Sequence, residues 1–70
     1  MDKAAMRSVM AKHSDTQEKL AEALSMQVSG INARINGKIE FRASEISKIV
    51  KRYGLTPDET TEIFFTVEAS

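Results

Sequence analysis

The spacing of apolar residues along the chain predicts five short helices separated by polar breaks. Residues 2–12 carry Met6, Val9 and Met10 at positions i, i+3 and i+4, which form one apolar stripe on a helix. Segments 17–24, about 28–35, 43–53 and 57–65 show the same kind of stripe. The pattern predicts an all-α domain over residues 1–65 and a short C-terminal tail, residues 66–70. The stripes of the later segments are formed by Leu20, Ala21 and Leu24; Ile31 and Ile35; and Ile46, Ile49, Val50 and Tyr53, while the fifth segment ends in three consecutive apolar residues, Ile63 to Phe65.

Polar residues at the starts of three segments have the side chains that cap helices. Asp2 precedes the first segment, and Asp15 or Thr16 precedes the second. Asp15 and Glu18 also have the spacing of a capping box. The clearest signal is Thr56-Pro57-Asp58-Glu59, where threonine caps, proline takes the first helical position and Glu59 completes the box.

Glycines mark the ends of the third and fourth segments. Asn36-Gly37 stops the third helix and Gly54 stops the fourth, because these residue types suit a helix C-terminus. After Gly37 the chain is expected to be extended, with Ile39 and Phe41 on the same side. We expect this linker to place one or both of these side chains in the core.

The second and third segments, with a break at Ser25-Met26, have the form of a helix-turn-helix unit. The stretch from Thr16 to Lys38 begins with T-Q, carries L-A three residues later and closes on N-G-K. This stretch resembles the DNA-binding domains of the lambda repressor and Cro family. Its continuation resembles small Cro-like regulators of phages of Gram-positive bacteria, through I-N-G-K-x-E-F-x-x-S-E-I, L-T-P-D-E and I-F-F.

The resemblance implies a five-helix, lambda-repressor-like domain that regulates transcription by binding double-stranded DNA. The resemblance to phage regulators implies control of lysis and lysogeny in the cytoplasm of a bacterial host. Many family members have glycine where Ser25 stands, because that residue takes a positive φ, so Ser25 is expected to be strained. Gly30, inside the third helix, costs about 1 kcal/mol relative to alanine. Its lack of a side chain is interpreted as allowing a close approach to DNA.

A helix that begins near Val28 turns one set of side chains away from Ile31 and Ile35, which face the core. Asparagine can form a bidentate pair with adenine, serine can bond to any base edge, and valine or alanine can contact thymine methyl groups. The alternative for Ser29 and Asn32 is an ordinary polar helix surface. The candidate base contacts are Gln27, Val28, Ser29, Asn32 and Ala33.

The resemblance also implies contacts to the phosphate backbone, which position a protein on DNA without specifying sequence. Gln17, at the start of the second helix, is expected to bond to phosphate and to brace the base-contacting residues. Further candidates follow the third helix. The full set of candidate phosphate contacts is Gln17, Arg34, Asn36, Gly37, Lys38 and Arg42.

The formal net charge is zero, but the charges are segregated along the chain. Residues 32–53 hold six basic and two acidic residues, whereas residues 54–70 hold four acidic residues and no basic one. The electrostatic attraction between basic side chains and phosphates extends over about a Debye length, ~8 Å at physiological salt. A local basic face is therefore sufficient for binding to DNA. An ordinary solvated surface with incidental segregation is the alternative.

Several classes of site are excluded or unsupported by the residues present. There is no cysteine and only one histidine, His13, so a metal site is not expected. Ser8, His13 and Asp15 do not make a credible catalytic triad in so small a chain, and no cofactor motif is present, so no enzyme is predicted. No apolar run approaches the roughly 18 residues of a membrane span, and no signal-peptide segment follows Met1.

A chain of 70 residues buries a limited core, which favours a homodimer. Ile63, Phe64 and Phe65 are consecutive, so one helix face cannot bury all three. We therefore predict a dimer interface at these three residues. The alternative is that the tail, residues 66–70, folds back over them.

Two other functions remain open. In the first, the acidic segment 54–70 and its phenylalanine pair grip a phage repressor or another protein, and the third helix need not touch DNA. In the second, the chain is an antitoxin that binds a toxin and its own promoter, although no toxin-wrapping tail is visible.

Overall fold

The computed structural model describes residues 1–65, and within this range the fold is all-α, as predicted. No helix in this range is long and apolar enough to cross a membrane. The predicted tail, residues 66–70, lies outside the described residues. The five helices are α1 (Lys3–Lys12), α2 (Gln17–Ala23), α3 (Val28–Ile35), α4 (Ala43–Tyr53) and α5 (Pro57–Phe64).

The core is built from the apolar stripes of all five helices. Helices α1 to α4 supply the five largest fully buried side chains, and α5 adds two more buried residues. Each predicted stripe therefore faces inward, which follows from the 3.6-residue period of the helix. The fully buried side chains are Met6, Leu20, Ile31, Ile35 and Ile49, and α5 contributes Ile63 and Phe64.

The helix caps confirm most of the predicted starts and ends. Asp2 accepts a hydrogen bond from the Ala5 N–H at 3.0 Å, and Thr16 accepts one from the Lys19 N–H at 3.1 Å. Thr56 and Glu59 exchange both bonds of a capping box, at 3.1 and 2.9 Å. Each of these bonds satisfies a backbone donor that has no partner within its own helix.

The predicted capping box of Asp15 and Glu18 is wrong, because the Asp15 carboxylate is engaged elsewhere. It accepts two hydrogen bonds from the Arg52 guanidinium, both at 2.9 Å, and a third from the Tyr53 hydroxyl. The His13 ring stacks on Tyr53 with centroids 5.0 Å apart. Asp15, Arg52 and Tyr53, here called the Asp15 cluster, tie the α1–α2 turn to the end of α4.

The Asp15 cluster shifts the titration of its members. The hydrogen bonds from Arg52, followed in size by that from Tyr53, outweigh burial and hold the pKa of Asp15 well below its usual range. Burial and the adjacent Asp15 carboxylate raise the pKa of Tyr53 well above its usual range. The cluster is therefore held together as a carboxylate, a guanidinium and a neutral phenol across the neutral pH range.

The turns contain two strained serines. Ser25, between α2 and α3, has φ +55°, as expected, and Ser14 has φ +51°. In the linker before α4, only one of the two apolar residues turns inward. Phe41 packs edge to face on Phe64, with ring centroids 5.8 Å apart, whereas Ile39 remains 49 % exposed.

Candidate nucleic-acid interface

Helices α2 and α3 are joined by a tight turn that holds them against each other. The Met26 N–H donates to the Ala21 carbonyl at 2.8 Å, so the chain reverses directly after α2. Ala21 is buried, and its small side chain allows the two helices to approach closely. Ile31 and Ile35 lock α3 into the core, so the opposite face of α3 points outward.

The outward face of α3 carries the side chains predicted to contact bases. Gln27, Ser29 and Asn32 are exposed, Val28 is 41 % exposed, and Ala33 is half-buried. The helix geometry therefore brings these five positions onto one face and end of α3. A polar and apolar mixture of this kind can meet both the hydrogen-bonding edges and the methyl groups of a major groove.

Side-chain amides form a chain of hydrogen bonds across this face. The Asn32 Nδ2 donates to Gln17 Oε1 at 3.2 Å, and the Asn36 Nδ2 donates to Asn32 Oδ1 at 3.0 Å. At the far end, the Arg7 Nη2 donates to Asn36 Oδ1 at 3.1 Å. These four residues, here called the amide chain, link α1, α2 and α3. The predicted bracing of Asn32 by Gln17 is thus present in the structure.

Two basic residues of α1 reach this face and were missed by the sequence reasoning. Arg7 ends the amide chain, and Lys3 lies beside Gly37, with its Cε 3.2 Å from the position a Cβ would take there. Both residues are exposed. Their signal in the sequence was a pair of basic residues at i and i+4 of the first helix.

The loop after α3 carries the remaining predicted phosphate contacts. Gly37 has φ +80°, which ends the helix and turns the chain toward Lys38. Lys38 and Arg42 are exposed, so their charges are accessible to an anion. Together with Lys3 and Arg7, they provide basic groups from two separate parts of the sequence.

Arg34 was predicted to contact phosphate, but the structure places it inside the protein. Its guanidinium forms an ion pair with Glu45 at 2.9 Å and donates to the Gly30 carbonyl at 3.1 Å, and its side chain is only 10 % exposed. Burial alone would raise the pKa of Glu45, but hydrogen bonds from the Arg42 N–H and from Arg34 lower it. Arg34 therefore joins α3 to α4 and leaves no free charge for DNA.

The space beside Gly30 is occupied by the protein itself. A Cβ there would lie 3.2 Å from the Met26 Cε and 3.4 Å from an Nη1 of Arg34. The glycine therefore accommodates the side chain of the preceding turn and the Arg34 ion pair. Close approach to DNA is not needed to explain it.

The predicted dimer residues separate into buried and exposed ones. Ile63 and Phe64 are part of the core of the single chain, and of these two only Phe64 also lines the groove at this end of the molecule. Phe65 is 61 % exposed and lines a groove of about 570 Å³ that also includes Ile39, Phe41 and Ile46. The apolar surface available to a partner is this groove, here called the Phe65 groove.

Within residues 1–65, no group of three histidine, cysteine or acidic side chains is arranged to hold a metal ion. A protein-family model described as helix-turn-helix matches residues 6–60, which is most of the chain. No curated protein and no solved structure matches the chain.

Proposed function

The chain belongs to the helix-turn-helix family of DNA-binding transcription regulators, and on this basis we propose that α3 enters the major groove of an operator. The observation that carries the proposal is the division of α3 into two faces. Ile31 and Ile35 are fully buried, whereas Val28, Ser29 and Asn32 are exposed. A recognition helix needs this division, because its N-terminal side chains must reach base edges.

Base contacts are assigned to the exposed side chains by their chemistry. Asn32 suits adenine, since its amide offers one donor and one acceptor side by side, and Ser29 suits either type of base edge. Val28 and Ala33 suit thymine methyl groups. Gln27 lies at the entrance to α3 and can contact a base or the adjacent sugar.

Phosphate contacts are assigned to groups that surround this face. Gln17 lies at the N-terminus of α2, where backbone N–H groups also favour an anion. Asn36, Gly37 and Lys38 follow α3, and Arg42 lies at the start of α4. Lys3 and Arg7 of α1 are added to this set because of their positions beside Gly37 and Asn36.

The proposal is tested by selecting bound duplexes from a random library and then measuring affinities by fluorescence anisotropy. Asn32→Ala should reduce discrimination among operator variants at one base pair by about 1–3 kcal/mol. Lys38→Ala should weaken binding to all duplexes alike and lower the slope of log K against log salt by about 0.9. Selection of no sequence, or equal losses for both variants on operator and random DNA, would refute the assigned roles.

A second copy of the chain is the proposed occupant of the Phe65 groove. The groove adjoins the DNA-facing loop, since Asn36 and Gly37 line its edge. The chain measures 31 × 25 × 21 Å, so two copies in contact there have centres about one molecular width apart. Along its longest axis, this width approaches one helical turn of DNA, ~34 Å, which separates the half-sites of a two-fold operator.

Phe65→Glu tests the dimer, because it places a charge in the apolar contact while leaving the core residues Ile63 and Phe64 unchanged. We expect a monomer by analytical ultracentrifugation at concentrations where the original protein is dimeric, and loss of cooperative binding to a palindromic operator. Glu62→Gln, on the same helix but outside the groove, is the control. An association state unaffected by Phe65→Glu would contradict this interface.

A role in phage lysis–lysogeny control is proposed from the resemblance of I-N-G-K and the segments after it to Cro-like phage regulators. Such a regulator acts in the bacterial host cytoplasm, where it competes for operators between divergent promoters. Reporter assays with the intergenic DNA next to the gene would test this role. Unchanged transcription from both directions would contradict it.

A further inference from the structure

We infer that Arg7, which lies outside the helix-turn-helix, sets the direction of the amide chain and thereby fixes which groups Gln17 and Asn32 present to DNA. This inference rests on the proposed function. It assigns to α1 a positioning residue for sequence discrimination, in addition to any phosphate contact that Arg7 makes.

The direction follows from the chemistry of arginine, which donates hydrogen bonds and cannot accept them. Arg7 Nη2 lies 3.1 Å from the Asn36 side chain, so Asn36 must turn its Oδ1 toward Arg7. The Asn36 Nδ2 then points to Asn32 and donates to its Oδ1 at 3.0 Å.

The same argument applies to the other end of the amide chain. Because the Oδ1 of Asn32 accepts from Asn36, its Nδ2 points to Gln17 and donates to Oε1 at 3.2 Å. If the three amides were reversed, the Asn36 NH₂ would face the Arg7 guanidinium, and two donors would oppose each other. Amides alone can hydrogen-bond to one another in either of two directions. The Arg7 guanidinium selects one direction, because it can only donate.

With this direction, the donors and acceptors that Gln17 and Asn32 do not use within the protein match those of phosphate and adenine. Gln17 keeps its Nε2 group, which makes no hydrogen bond to residues 1–65 and can donate to a phosphate oxygen. Reversal would turn Oε1 toward the phosphate, with two acceptors facing each other. Asn32 keeps one N–H and one lone pair, the two that adenine N7 and N6 require.

The ion pairs of the described residues leave Arg7 available for this task. Side-chain ion pairs join Arg34 to Glu45 and Arg52 to Asp15. Arg7 instead has a neutral amide oxygen as its partner. One guanidinium fork has five N–H donors, so Arg7 can hold Asn36 and still donate to a phosphate.

Nuclear magnetic resonance of the free protein tests the amide chain without DNA. The side-chain NH₂ groups of Asn32 and Asn36 should be ordered in the original protein, and Arg7→Met should lower their order parameters below about 0.6. Arg7→Lys should restore order, because an ammonium group also only donates. Unchanged side-chain amide signals in Arg7→Met would overturn the inference, whatever the protein does to DNA.

DNA binding then separates positioning from simple charge, with Lys3→Met as the matched control on the same helix. Both methionine variants should weaken binding to all duplexes to a similar extent. Only Arg7→Met should also reduce discrimination at the base pair read by Asn32, by about fivefold, within the range that one bidentate contact supplies. Equal discrimination in the two variants overturns the positioning role. If the side-chain amides are ordered but the protein selects no DNA sequence, the result would count against the proposed function and not against the ordering of the amide chain by Arg7.

Discussion

The Asp15 cluster and the amide chain both join separate helices through polar side chains, but they differ in the hydrogen-bonding groups that remain without a partner in the protein. In the Asp15 cluster, the Asp15 side chain is only 3 % exposed and its charge is matched by Arg52. In the amide chain, Asn32 and Arg7 are exposed, and each amide keeps donors or acceptors that the protein does not use. The first cluster closes on itself, whereas the second is open toward solvent.

This contrast explains how a domain of 70 residues can contain both a stable framework and a binding surface. A buried ion pair stabilises only when its remaining hydrogen bonds are also made, and Tyr53 and the Thr16 N–H supply them for Asp15. An exposed network contributes little to folding, because water competes for each bond. Its residues can therefore serve binding rather than stability.

The largest effect expected is on folding, from Asp15→Ala. The substitution leaves the Tyr53 hydroxyl and the Arg52 guanidinium without their partner, and the unfolding free energy should fall by about 2 kcal/mol. Arg52 is 32 % exposed, so water replaces part of the lost bonding and a larger loss is not expected. The midpoint of thermal unfolding, followed by circular dichroism, should fall by roughly 10 °C.

Asn32→Ala is the matched variant in the amide chain, and it should change the unfolding free energy by no more than about 0.5 kcal/mol. DNA binding should show the opposite order of effects. Asn32→Ala should lose discrimination among operator variants, whereas Asp15→Ala should keep it at temperatures where that variant is folded. A comparable fall in the unfolding free energy of both variants would contradict the difference between the Asp15 cluster and the amide chain.

A smaller effect is expected from acid, and most of it should come from the Asp15 cluster. The pKa of Asp15 is lower in the folded chain than in the unfolded chain, where it is near ~3.9. As pH falls through that value, the unfolded chain takes up a proton first, so the Asp15 contribution is complete above it and is lost below it. The unfolding free energy should fall by about 1–2 kcal/mol between pH 5 and pH 3.

Urea titrations at these two pH values measure the acid effect, and Asp15→Asn should remove most of it. Glu45 and Glu59, whose pKa values are also lowered on folding, should supply the part that remains. Asn32→Ala should retain the full dependence, because no carboxylate is lost. An Asp15→Asn variant with an unchanged acid response would show that the carboxylate does not stabilise the folded state.

Most of the fold could be predicted from the sequence, because helix ends and apolar stripes are local features. Thr56 to Glu59 specify a cap by residue type alone, and Met6, Val9 and Met10 specify a buried face by spacing alone. The outward face of α3 follows in the same way from the inward positions of Ile31 and Ile35. The matched family supports the helix-turn-helix that these features indicated.

The partners of charged residues could not be predicted, because they depend on contacts between distant segments. Arg34 pairs with a residue 11 positions away, and Arg52 with one 37 positions away. Both looked like available basic groups in the sequence, whereas Arg7, which reaches the proposed DNA-binding surface, looked like an ordinary residue of α1. Charge segregation along a chain therefore does not identify a basic surface until the intramolecular ion pairs are known.

Gly30 belongs to neither region and should give the smallest effect. Glycine within a helix costs about 1 kcal/mol relative to alanine, but a Cβ at Gly30 would meet the Met26 Cε at 3.2 Å. That atom is the tip of a flexible side chain, so it can move by a few tenths of an ångström. Gly30→Ala should therefore stabilise the fold by about 0.5 kcal/mol, as measured by urea unfolding.

Gly54→Ala is the control, since its surroundings are open but its φ of +62° disfavours alanine, and it should destabilise by about 1 kcal/mol. DNA affinity decides between the two interpretations of Gly30. If the glycine serves the packing of Met26 and Arg34, affinity for the operator should change by less than about threefold in Gly30→Ala, below one base contact. A loss of more than about tenfold without a loss of stability would show that DNA approaches the backbone there, as the sequence resemblance suggested.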